Sequence, residues 1–153
     1  MSIYLAQVNI AWMHGSIDDP VMVGLASRVD EMNRLAEESK GFVWRMPGED
    51  VTSESLRVFE EDFPGFRHDR FFYNMSVWET LEDLRAYTFS STHAEMLNDR
   101  HRWIDRIEGA SVALWWIPSH HRPNIAESAE RLRSVGKLGA TPYGFTLRKS
   151  FPP

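Results

Sequence analysis

The chain contains no cysteine, and that absence alone excludes disulfides, a thiol nucleophile, iron–sulfur clusters and thiolate zinc sites. Positive charge is also in short supply. Seventeen basic residues against 22 acidic ones leave −5, the wrong sign for a protein that holds a phosphate backbone by releasing counterions. Nucleic acid is therefore not an expected partner. The longest apolar stretch, Val112 to Ile117, is far below the roughly 18 residues of a spanning helix, and no basic residue precedes Arg28 to begin a signal peptide. No membrane association is expected; the mature chain is expected to start at Met1 and to be cytoplasmic, which suits the missing thiols. The motifs G-x-S-x-G, G-x-x-x-x-G-K, G-x-G-x-x-G, H-E-x-x-H and the D-x-D-x-D-G calcium loop are all absent. Hydrolase elbows, P-loops and Rossmann sites are thereby disfavoured. No dedicated metal site is expected either, because the adjacent His120 and His121 point in different directions and do not converge on one ion.

What is present is a globular composition, 42% hydrophobic and 25% charged, in 153 residues, enough for one domain over 1–153. An irregular acidic insertion is expected near 48–69 and a C-terminal extension from about 118. IYLAQVNI alternates as a half-buried strand does, with Tyr4, Ala6, Val8 and Ile10 on one side. Pro20 suits a first helical turn, and Met22, Leu25, Ala26, Val29, Met32 and Ala36 continue an amphipathic helix until Gly41. Phe42 to Met46 reads as a short strand ended by Pro47. Arg70 to Trp78, rich in aromatics and free of Gly and Pro, is the most strand-like stretch and is placed centrally. Thr80 to Asp83 begins a helix with a hydroxyl cap, and Thr92-His93-Ala94-Glu95 forms a second capping box. Ser111 to Ile117 reads as a buried strand. A short helix closed by Gly136 follows, and Tyr143 to Leu147 is a candidate edge strand.

Strand, helix, strand, strand, helix, strand is the split βαβ order of ferredoxin-like folds, an α+β class with an antiparallel sheet and helices on one face. The uncovered face, together with six Trp and nine Phe, suggests a homodimer in which two sheets stack.

On the third strand, Phe72, Asn74, Ser76 and Trp78 share one side while Phe71, Tyr73, Met75 and Val77 share the other. The polar side is unusual. Burying an amide and a hydroxyl costs about 1–3 kcal/mol each unless partners are supplied, so this side implies a ligand, water or a hydrogen-bond network. The alternative is that Asn74 and Ser76 bond neighbours at a dimer seam. His93 would sit in the first turn after Thr92, where the helix dipole disfavours imidazolium and leaves a ring able to accept a proton. Arg100, Arg102 and Trp103, on the following turns, are placed to approach an anionic substrate.

The segments NMSVWETLEDLRAYTFSSTH, RHRWI, ALWWIPSHHRP, AESAERL and GATPYGFTL together resemble the domain-of-unknown-function 3291 family over roughly residues 3–150. That resemblance implies a dimeric α/β barrel and no settled activity. More distantly, GFVW and SVWETLEDLRAY resemble the antibiotic-biosynthesis monooxygenase superfamily. Its cofactor-free quinone-forming members carry an Asn four residues before a Trp on the third strand, matched by Asn74 and Trp78, and a helical tyrosine similar to Tyr87. Haem-degrading relatives use an Asn on the first strand, a Trp on the third and a His on the next helix; Asn9, Trp78 and His93 are of these types, with the His farther beyond the Trp than in that pattern.

The resemblance thus implies a small monooxygenase-like enzyme acting on an aromatic or polyketide-type molecule without a metal or other cofactor, haem being the alternative. Asn74, Trp78 and His93 are the expected catalytic residues. Asn9, Phe72, Ser76, Tyr87, Arg100, Trp103 and Trp116 are the expected substrate contacts. A dimer that only sequesters a small molecule is a third reading, because fold alone does not separate enzymes from binders.

Overall fold

The computed structural model describes residues 2–90, 94–95 and 98–153. Strand β1 (Ile3–Met13) runs three residues farther than its alternation alone suggests, because Trp12 and Met13 gain a partner in β4 (Ile104–Asp105). Its opposite edge pairs along its length with β3 (Phe71–Trp78), which in turn holds β2 (Phe42–Arg45). Strand β5 (Val112–Pro118) pairs with residues Ile3 to Asn9 of β1, on the edge it shares with β4. All pairings are antiparallel, and the path β2-β3-β1-β5 is the expected ferredoxin-like order. Phe145 adds one bridge to Leu114 and Gly144 bridges back to Thr141, so the candidate edge strand at 143–147 is reduced to a single residue paired with the sheet.

Helices α1 (Val23–Glu38) and α2 (Leu81–Thr88) lie on one face of this sheet, where Ala36 and Leu84 pack with Leu5, Trp78 and Leu114. Asp19 caps the 3₁₀ turn that leads into α1, its carboxylate accepting from the Val21 N–H at 3.1 Å. Thr80 caps α2 by accepting from the Asp83 N–H at 3.0 Å. Gly41 holds φ at +84°, and any side chain there would collide with Asp83, so α1 stops where the sequence indicates.

The C-terminal helix α3 (Ile125–Leu138) runs through Gly136 rather than closing at it. The left-handed turn falls at Gly139, φ +72°, three residues later. A glycine stops a helix only where the backbone needs positive φ, and Gly136 instead faces Ala110.

Helix α3 covers the sheet face opposite α1 and α2. Ile125, Ala129 and Leu132 pack with Val8, Ile10, Met75, Ala113 and Trp115, and the insertion adds Leu56 and Phe59 to the same cluster. Residues 48–70 are thus a cover built from three short 3₁₀ turns. It is clamped to α3 by Arg133, which donates to both Asp62 carboxylate oxygens and to the Val58 carbonyl, each at 2.8 Å. The face that composition alone leaves for a second copy is covered within the chain, and the premise for stacking two sheets there falls away.

Candidate functional site

Between the sheet and the α1/α2 layer lies a cavity of about 750 Å³, within the range typical of small-molecule sites. Its floor comes from β1 and β3. Their register sets Gln7 opposite Ser76 and Asn9 opposite Asn74, so four polar side chains form one row across the two central strands. Asn74 Nδ2 donates to Asn9 Oδ1 at 2.9 Å. Gln7 Nε2 and the Trp78 indole N–H both donate to Ser76 Oγ, at 3.1 and 2.9 Å.

Two halves of this row behave differently. Ser76 is 6% exposed and Trp78 fully buried, so the indole N–H, the serine hydroxyl and the Gln7 amide satisfy one another. Asn9 and Asn74 are half-buried and line the cavity. Their mutual bond consumes one donor and one acceptor. A further N–H and a carbonyl oxygen are left open to the cavity, whichever way the two amides are turned. A donor and an acceptor side by side suit a phenol or enol oxygen in either protonation state.

The walls are mostly apolar, with Val29 and Met32 from α1, Leu84 from α2, Phe72 from β3, and Val112 and Leu114 from β5, while Asn33, Thr88 and Ser111 add polar groups. Tyr87 adds a phenol whose O–H donates to the Met32 carbonyl at 3.2 Å, and burial pushes its pKa up to about 12. It therefore faces the cavity as a neutral group. Its ring stacks on Trp78 at 5.0 Å between centroids, and Phe42 meets Trp78 edge-on at 5.6 Å. Trp78 is thus the support under Tyr87, and its indole lies beneath the lining.

The mouth is polar. Arg100, His101, Asp105 and Arg106 line it from the segment around β4, and Arg45 reaches it from β2. His101 Nδ1 donates to the Asn98 carbonyl at 3.0 Å, which leaves Nε2 as the basic nitrogen. The His14 ring bridges the Asp105 carboxylate and the Arg102 carbonyl, each at 3.1 Å, tying the mouth to the end of β1.

Of the residues expected at the site, the structure brings Asn9, Phe72, Asn74, Tyr87 and Arg100 together around the cavity. It places others elsewhere. Ser76 and Trp78 lie in the packed layer beside it, because the i, i+2 spacing that puts them on one face also lets them bond each other. Trp103 packs against α1 at Gly24, where a Cβ would come within 3.0 Å of its Cε2. Trp116 donates to the Phe151 carbonyl at 2.7 Å, under the C-terminal tail. His93 lies outside the described residues. Sequence reasoning passed over Gln7, His101 and Arg106. His101 falls within the RHRWI segment, and its adjacency to Arg100 was the available signal.

Residues 4–153 match a family described as a domain of unknown function (DUF3291). The chain belongs to that family. No curated protein matches this DUF3291 chain. Among solved structures, Rv0793 from Mycobacterium tuberculosis is similar at a TM-score of 0.50 and 11% identity, with 79% of this chain and 99% of that one covered. Protein SO0527 from Shewanella oneidensis gives 0.50 at 5% identity, covering 76% and 91%. SnoaB from Streptomyces nogalater, described as a cofactor-independent oxygenase, gives 0.48 at 11% identity, covering 79% and 97%. At these identities the likeness concerns the fold.

The haem-degrading pattern does not fit the described residues. Asn9 lines the open cavity, whereas Trp78 is sealed under Tyr87 with its N–H on Ser76. Among the described residues no three His, Asp or Glu side chains gather as a metal ion requires, and no helix is long and apolar enough to cross a membrane.

Proposed function

We propose that this domain is a small-molecule oxygenase of the cofactor-independent type, acting on a phenolic aromatic held in the cavity between sheet and helices. The observation that carries the reading is the Asn9–Asn74 pair, which keeps an unused donor and acceptor on the floor of a chamber with largely apolar walls. Such a pair steadies the phenolate that forms as the substrate loses a proton. The delocalised carbanion then passes one electron to dioxygen. Recombination forms a carbon–oxygen bond, and loss of water leaves a carbonyl, so a methylene and dioxygen become a ketone and water. Apolar walls protect the radical pair and the peroxide from solvent.

Asn74 is the proposed phenolate-binding residue, with Asn9 as its partner. Trp78 acts as a positioning residue through Tyr87. His93 is proposed as proton acceptor from its position after Thr92 in the sequence, and within the described wall His101 Nε2 is the alternative base. A cytoplasmic homodimer belongs to the same proposal through the resemblance, and a single-chain mass by light scattering would remove the dimer. Purified protein is expected to consume dioxygen with an anthrone-type polyphenol and to form the quinone. Asn74→Ala should lower that rate by roughly 10²-fold, the usual scale for a lost oxyanion donor. Normal turnover in Asn74→Ala would overturn the assignment.

A further inference from the structure

The chain carries a net charge of −5, yet the lining of its large cavity reverses that sign. Among the described residues that line it, Arg45, Arg100 and Arg106 stand against a single carboxylate, Asp105. Most of the nearby acids already have partners: Asp105 is held by His14 at 3.1 Å, Glu37 by Arg45 at 3.3 Å, and Asp99 by Arg28 at 3.1 Å. The side chains of Arg100 and Arg106 have neither an ion pair nor a hydrogen bond among the described residues. Two exposed arginines without a side-chain partner thus line the chamber, and their positive charge favours an anion beside them. Guanidinium offers a planar fork of donors that matches carboxylate and sulfonate oxygens.

We propose that the chamber selects an amphipathic aromatic anion, whose apolar rings fill the space below and whose ionised group pairs with Arg100 and Arg106. This deepens the reading of the cavity as a substrate chamber and rests on it. The floor amides hold a second, hydrogen-bonding oxygen at the far end. The ligand is therefore polar at both ends and flat and apolar between them. A neutral aromatic would satisfy the floor and leave the mouth charges unpaired.

A matched pair of dyes tests this: 8-anilinonaphthalene-1-sulfonate and neutral N-phenyl-1-naphthylamine share one ring system and differ in the sulfonate. Fluorescence titration at low salt is expected to show Arg100→Gln/Arg106→Gln weakening the sulfonate about five- to ten-fold while moving the neutral dye less than about two-fold. Arg57→Gln, the same charge change on the exposed insertion, should move neither. Should the double variant not fold, the wild-type salt series carries the same information, since raising ionic strength screens the sulfonate alone. Equal responses of the two dyes would overturn the anion assignment while leaving the chamber intact. If Val112→Trp, which fills the chamber, leaves both dyes bound, the chamber reading itself fails.

Discussion

Replacing the floor amides by leucine tests whether Asn9 and Asn74 are there for the fold or for a guest. Their mutual hydrogen bond, 2.9 Å long, contributes about 1 kcal/mol net. Each side chain is half-buried and open to the cavity, so an amide that loses its partner is rehydrated and escapes the full penalty of a buried orphan. Leucine at either position covers about half of a side chain's apolar area and regains about 1 kcal/mol. Each single variant should therefore lie within about 0.5 kcal/mol of the parent. In Asn9→Leu/Asn74→Leu the bond is lost once and the apolar gain counted twice, which makes the double variant more stable by about 1 kcal/mol. For a chain of this size that raises Tm by about 2–4 °C. Urea unfolding of the four proteins measures the cycle, and dye titration measures the cavity. All three variants should bind and turn over phenolic ligands worse than the parent, a gain in stability set against a loss of function. A double variant less stable than the parent by about 1 kcal/mol or more would show that the pair is a structural fixture, and the functional argument would lose its foundation.

Two further outcomes follow from the packed layer beside the cavity. Ser76→Ala leaves the Trp78 N–H without an acceptor where Trp78 is fully buried, and should cost about 1–3 kcal/mol; in a Trp78→Phe background most of that cost should disappear, and an additive cycle would refute the coupling. For Tyr87, whose pKa rises from 10.0 to about 12 on folding, stability is complete below pH 10 and falls as pH climbs to 12, because the unfolded chain releases the phenolic proton first. Between pH 9 and 11.5 this one group should remove about 2 kcal/mol; Tyr73, buried against Ser128 and raised further, adds a comparable loss, so Tyr87→Phe should roughly halve the decline in urea-unfolding stability. An unchanged slope in Tyr87→Phe would mean that its phenol ionises as freely folded as unfolded.

Much of this protein was written locally. The two-residue period of β3 put Asn74 on the same side as Phe72, Ser76 and Trp78, and the cap at Thr80 needed only neighbouring residues to act. The sheet order followed from the sequence of elements, and the oddity of a polar strand face was visible before any coordinates. What that pattern left open was depth. Side-chain alternation tells which way a residue points, whereas burial depends on what arrives from elsewhere in the chain. Tyr87 and Phe42 arrive over Trp78 and seal it, whereas Asn74 lines the cavity.

The same reason governs the other differences. Leu56 and Phe59, in an acidic stretch that reads as an irregular loop, are buried where Arg133, more than seventy positions away, clamps their segment to α3. Asn9 meets Asn74, and Arg100 meets the cavity, through strand pairing and chain reversal between residues far apart in sequence. Sequence alone therefore determined which faces and element types exist, since those depend on steric and hydrogen-bond preferences within a few residues. Only the tertiary structure decided which polar groups are mutually satisfied and which stay open to a guest, because that accounting closes across contacts no local window contains.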